Sequence, residues 1–167
     1  MKPFSGIGAA AIVTAVFGVI LGACGGEDGN DGTVMDSQEL GGPNAQCTIS
    51  GALSGTSPCT VTAAGSSSQY ILVVKGVIGS ATVKATMILN PPPEAGKTYT
   101  FESSSVNPRS IATVTSDGKQ WVASKALAKG SMSLTLTAIA HGNLTATLVP
   151  DPRIVPVPDN IVLSVIF

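Results

Sequence analysis

The chain is poor in charge and in aromatic rings. Of its 167 residues only 11% are charged and 4% aromatic, and 9 Lys and Arg stand against 10 Asp and Glu. A near-neutral balance excludes a protein that holds nucleic acid by neutralising phosphates. A charged fraction well below the roughly 25% of soluble domains, combined with 19 glycines, excludes a coiled coil or long-helix bundle. Catalytic chemistry is equally thinly supplied. His141 is the single histidine, and from residue 45 onward the acids are Glu94, Glu102, Asp117, Asp151 and Asp159, most of them in turn-like sequence. No G-x-S-x-G elbow occurs, because Gly51-Ala52-Leu53-Ser54-Gly55 sets its serine one place too late. Ser116-Asp117-Gly118-Lys119 matches S-x-x-K by letter, but Asp-Gly marks a hairpin turn and not the helical turn that pairing needs. A phosphate-cradling G-x-x-x-x-G-K-[ST] run is also missing. These absences read as a chain with no catalytic residue, no cofactor and no enzymatic activity.

What is present begins at the N-terminus. Lys2 precedes Gly6 to Leu21, an uncharged apolar run rich in small residues, which is the build of an export signal. It is shorter and more glycine-rich than the roughly 20 apolar residues of a permanent span. Leu21-Gly22-Ala23-Cys24 closes the run. This tetrapeptide resembles the lipobox of bacterial lipoproteins, where small residues leave the cysteine open to a lipid-transferring enzyme and a signal peptidase. The resemblance implies a leader over 1–23, recognition through Leu21, Gly22 and Ala23, and lipidation of Cys24 as the first mature residue. Several acyl chains anchor stably, since each buried CH₂ contributes about 0.8 kcal/mol. In lipoproteins of enteric bacteria a residue other than Asp at the second mature position is the pattern passed on to the outer membrane, so with Gly25 there the resemblance implies that destination, and the membrane as first partner through the lipid on Cys24.

Residues 24–44 follow as a Gly-rich segment with Glu27, Asp28, Asp31, Asp36 and Glu39 and no basic residue. Such a composition buries too little apolar surface to fold, so it is expected to be a flexible tether. Asp28-Gly29-Asn30-Asp31-Gly32 lacks the ligand spacing of a calcium loop. With Cys24 assigned to lipid, Cys47 and Cys59 remain as a pair in an oxidising compartment, and a disulfide is expected to join them across a hairpin. One histidine and two bonded cysteines then leave no metal set.

From residue 45 to 167 apolar residues alternate with Ser and Thr, the period of strands. Strands are expected at 46–53, 59–63, 69–75, 81–89, 97–102, 109–115, 120–124, 131–139, 143–149 and 160–167. Lys119 to Lys129 stays open between a strand and a short helix closed by Gly130. Two proline-bearing stretches, Asn90 to Gly96 and Pro150 to Pro158, read as crossings between sheets. The expected fold is all-β: an antiparallel β-sandwich with Greek-key or jelly-roll connections, with a small closed barrel as the alternative, following the signal helix and the disordered tether. Phe167 is expected to close the last strand as a core residue beside Ile161, Leu163 and Val165. A lipid-facing barrel is excluded, because 1 Trp, 2 Tyr and 4 Phe cannot build aromatic girdles.

The function expected from these features is a lipid-anchored bacterial envelope protein that acts as a non-enzymatic binding or structural module. Its partner would be an envelope polymer or protein, with no nucleic acid involved. A closed barrel carrying a small apolar ligand is the alternative, and an envelope hydrolase working through His141 a remote one. Trp121, Tyr70 and Tyr99 are the residues from which an aromatic sugar platform would be made. The scattered cations of the domain read as a solubilising surface.

Overall fold

A computed structural model of the chain describes residues 35–138 and 140–167. Leu21, Gly22, Ala23 and Cys24, the expected leader and most of the expected tether lie outside the described residues. Eleven strands are present among those described: β1 (Met35–Leu40), β2 (Gln46–Gly51), β3 (Gly55–Ser66), β4 (Gln69–Ile78), β5 (Ala81–Leu89), β6 (Thr98–Thr100), β7 (Ile111–Ser116), β8 (Lys119–Ser124), β9 (Ser131–Ala138), β10 (His141–Pro150) and β11 (Ile161–Ile166).

The all-β expectation holds, but the sandwich does not. Eight strands form a closed antiparallel ring in the order β2-β3-β4-β5-β7-β8-β10-β11, with β11 pairing back onto β2. Chain order is kept round the ring, so the connections are those of an up-and-down barrel and not of a Greek key. Closure comes from two long strands that serve three neighbours each. The 12-residue β3 pairs with β2 through Gly55–Pro58 and with β4 through Cys59–Ser66. The 10-residue β10 pairs with β11 along one edge, while its other edge is shared between β9 and β8. β6 extends the wall beyond β9.

The registers fix the slant of the barrel. Val149 on β10 is level with Thr60 on β3 by way of Val122, Thr113, Lys84 and Lys75. Leu148, one residue earlier and hence level with Val61, leads the other way through Ile161 to Gly51. Continuing the β2–β3 register by two pairs past Ile49 and Gly55 brings Gly51 level with Leu53. The two routes end eight residues apart on β3, so the ring has eight strands and a shear of eight. That combination tilts strands by about 36° and leaves an interior that side chains fill in layers.

Alternation supplies those side chains. Leu72, Val83, Met87, Leu134, Leu144, Leu163 and Val165 are completely buried, and Phe167 closes the core at 5% exposure. Three alanines at one level, Ala85, Ala112 and Ala123, leave room for the larger groups that share the core with them. Hydroxyls make up much of the outer wall. One row across six strands reads Thr100, Ser133, Thr145, Ser164, Thr48 and Thr56. This is how a chain with 11% charged residues still presents a polar exterior.

Three local expectations need correction. Residues 35–40, assigned to the tether, form β1, which pairs antiparallel with β3. Ladder hydrogen bonds hold this polar segment, with Leu40 as its buried anchor at 2% exposure. Gly41 and Gly42, at φ 73° and 50°, then turn the chain through one 3₁₀ turn into β2. The segment left open at 119–129 is a strand followed by a turn, because Trp121 and Ala123 point into the core and pairing with β7 outweighs helix propensity. Finally, Ala138, which alternation with Met132, Leu134 and Leu136 is expected to turn toward the core, is exposed, and here the β9–β10 register shifts between His141 and Gly142. The Asp117-Gly118 hairpin is as expected, with φ of 50° and 73°, the left-handed pair a tight β-turn requires.

The crossing from Asn90 to Ser110 is pinned beyond the end of β5. Phe101 and Val106 are buried in it at 8% and 1% exposure. Asn107 N–H donates to the Ile88 carbonyl at 2.8 Å, and the buried Ser110 Oγ accepts from Ile88 N–H at 3.0 Å where the β5–β7 ladder has ended. The Lys125 ammonium reaches across from the β8–β9 turn and donates to the carbonyls of Ser103 and Val106, each at 2.7 Å.

Candidate binding groove

The ring is thinnest between β8 and β10. β9 occupies most of that edge of β10, so β8 meets it only through Val122 opposite Val149 and Trp121 opposite Pro150. Pro150 has no N–H to extend the ladder, and Asp151 N–H donates instead to the Gln120 carbonyl at 2.9 Å. The chain then turns: Ile154 N–H donates to the Asp151 carbonyl at 3.0 Å, and Arg153 N–H to Asp151 Oδ1 at 3.0 Å. An Asp followed by Pro suits such a turn, because its carboxylate accepts from the backbone two residues on.

Between this turn and the β8–β9 turn lies a groove of about 320 Å³, lined by Gln120, Val122, Leu127, Lys129, Val149, Pro150, Asp151, Pro152 and Arg153. Its floor is aliphatic and its rim cationic. Arg153 grips Asp151 in a fork, Nε donating to Oδ1 at 3.0 Å and Nη2 to Oδ2. The guanidinium, then the Arg153 backbone N–H and the nearby Lys129 charge, hold the Asp151 carboxyl down to about 2. Asp151 therefore stays ionised at neutral pH and is no proton acceptor. The site carries two cations against one carboxylate, which suits an anionic group. A shallower depression of about 260 Å³ lies beside the disulfide, among Glu39, Pro58, Thr60 and Lys75, with one charge of each sign.

Cys47 and Cys59 are bonded, with Cα atoms 5.7 Å apart. They are diagonal rather than opposite: Cys47 faces Ser57, while Cys59 N–H donates to the Ala45 carbonyl. Gly76 makes the space, because a Cβ there would lie 2.9 Å from Cys59 Cβ. His141 is exposed at the start of β10. The 10 residues of that strand span roughly 30 Å, so His141 and Asp151 sit at opposite ends of it. No group of three or more His, Cys, Asp or Glu side chains that could hold a metal occurs among the described residues.

The three aromatic residues form no exposed platform. Trp121 is buried and donates from Nε1 to the Asp159 carbonyl at 3.0 Å. Tyr99 is half-buried and its hydroxyl accepts from Glu94 N–H at 2.8 Å. Tyr70 is buried at 9% exposure, its hydroxyl has no hydrogen-bond partner among the described residues, and burial pushes its pKa up to about 12. Sequence reasoning missed the groove altogether. Pro150-Asp151-Pro152-Arg153 carried the only signal, a turn motif with an acid and a base two residues apart. Comparison with known protein families, curated proteins and solved structures finds no match to the chain.

Proposed function

We propose that the protein is a bacterial envelope lipoprotein, anchored in the outer membrane through lipid on Cys24, whose barrel is a non-enzymatic module that binds a partner on its outer surface. The observation that carries the anchoring is the Leu21-Gly22-Ala23-Cys24 sequence placed directly after an apolar leader. Surface binding is supported by the continuous packed core, which has the shear of a filled barrel and buries residues from every strand of the ring. Metabolic labelling with palmitate tests the anchor. Label is expected on the full chain and lost in Cys24→Ala, together with membrane retention. A cleaved Cys24→Ala protein that still fractionates with the membrane would refute it.

A carrier of a small apolar molecule is the second reading. Closure of the ring supports it, as does the unpaired Tyr70 hydroxyl inside the wall, which a polar end of a ligand would satisfy. Native mass spectrometry of the protein purified from its host decides: a bound small molecule released on unfolding favours the carrier, and a bare mass favours surface binding. His141, exposed and far from Asp151, gives the hydrolase reading no geometric support.

A further inference from the structure

We infer that the groove between the β8–β9 and β10–β11 turns is a site for the free carboxyl terminus of a short aliphatic peptide. The inference rests on the surface-binding reading above and names the ligand for it. A carboxylate is already held there, by the protein's own Asp151, in the forked geometry that matches guanidinium to carboxylate. Asp151 uses only part of the five-donor guanidinium, and the Arg153 side chain is 88% exposed, so donors remain for a second acceptor. Among the described residues the Lys129 ammonium and the Gln120 amide have no hydrogen-bond or salt-bridge partner, and both stand on the same rim. One carboxylate added to this set would neutralise its net positive charge.

The rest of the lining indicates what the carboxylate is attached to. Val122, Val149 and Pro152 form an aliphatic floor, and Leu127 lies beside the two cations at 61% exposure, an apolar side chain left in water. No aromatic ring lines the groove, so there is no flat face on which a sugar or a base could stack. A volume of about 320 Å³ lies at the lower bound of ligand sites, roughly 300–1,000 Å³, and fits a chain end better than a continuous strand. Position agrees. Gln120 is level with Thr115 and Thr82, at the end of the barrel bearing the Asp117-Gly118 turn, whereas β1 starts opposite Gly65 at the other end. The groove thus lies at the end of the barrel opposite the start of β1.

The test is fluorescence polarisation with an N-terminally fluorescein-labelled Leu-Ala-Ala peptide, as free carboxylate and as C-terminal amide, on the full chain purified in detergent. The carboxylate is expected to bind about tenfold more tightly than the amide, the worth of one charge-assisted hydrogen bond. Arg153→Gln should erase that preference and Lys129→Gln reduce it. Asp151→Asn should tighten binding, because it removes the internal competitor while keeping a side-chain acceptor for the turn; a merely structural Asp151 would instead weaken it. Equal binding of carboxylate and amide, or an unaffected Arg153→Gln, overturns the site. Displacement of the peptide by oligogalacturonate at lower concentration than by unlabelled peptide overturns the peptide assignment in favour of an acidic glycan. Failure of the peptide to bind a protein that shows a bare mass in native mass spectrometry refutes this inference alone, whereas a small molecule released on unfolding refutes the surface-binding reading itself.

Discussion

Lys125→Met removes one ammonium and keeps the aliphatic stem, and its consequence follows from what that ammonium touches. The half-buried nitrogen donates to the Ser103 and Val106 carbonyls at 2.7 Å each, tying the crossing that seats Phe101 and Val106 in the core to the β8–β9 turn. Hydrogen bonds to a charged group contribute about 1.5–3 kcal/mol each, but the two carbonyls regain water once the side chain is gone, so a total within the range of a single bond, about 2 kcal/mol, is the reasoned loss. For a domain of this size that corresponds to a melting temperature lower by about 7 °C. Denaturant unfolding of the wild type and variant should show a lower midpoint with an unchanged slope, and hydrogen exchange should quicken at Asn90 and Asn107, whose N–H groups bond across this crossing. A loss under about 0.5 kcal/mol, with exchange unchanged, would refute the reasoning and return Lys125 to the status of a solvated surface charge.

Two further outcomes are expected. Reducing the Cys47–Cys59 bond, which spans 12 residues of sequence, should cost about 3 kcal/mol in the chain-entropy model, measured as a drop in thermal midpoint on adding reductant; an unchanged midpoint with both thiols titratable would count against it. Tyr70 binds its proton more tightly folded than unfolded, so its contribution is present below about pH 10 and lost as pH rises toward about 12. Alkaline unfolding should therefore coincide with the tyrosinate absorbance change of this residue. Tyr70→Phe should remove that pH dependence and, by deleting an unpaired buried hydroxyl, raise stability at neutral pH by about 1 kcal/mol, whereas destabilisation would mean the hydroxyl is in use.

Much of the wall was legible because the side-chain period of a strand is visible without its neighbours. Met132, Leu134 and Leu136 on β9 and Leu144, Ala146 and Leu148 on β10 lie inside as their alternation requires. The disulfide was legible by elimination, and the Asp117-Gly118 turn from its residues. Closure was not. Alternation says which face of a strand is buried, but not which strand lies beside it, and the step that turns two sheets into a ring is only Val122 with Val149 and Trp121 with Pro150. β1 was hidden for the opposite reason, since backbone hydrogen bonds to β3 hold it with little apolar content. Lys125 and Arg153 look like any exposed cation in the sequence; their partners, 19 to 22 residues away for Lys125, are set by the fold.

The weak place in the ring and the groove have one origin. A strand has two edges, and β10 gives one wholly to β11 while dividing the other between β9, up to Thr147, and β8, from Val149. The β8–β9 connection must therefore leave β8 and come back to β10 two residues below the point where β8 touches it. Gly130 is forced into this space: at φ 62° it lies so near the Thr147 carbonyl that a Cβ would collide with it. The turn bulges outward as a result, lifting Leu127 and Lys129 off the wall, and on the other side Pro150 ends the ladder and sends Asp151 to Arg153 outward as well. Two outward turns flanking a two-pair seam make a trough whatever its ligand. In a barrel whose shear fills the interior with side chains, a concavity of this kind can only form where the regular pairing is interrupted on the outside.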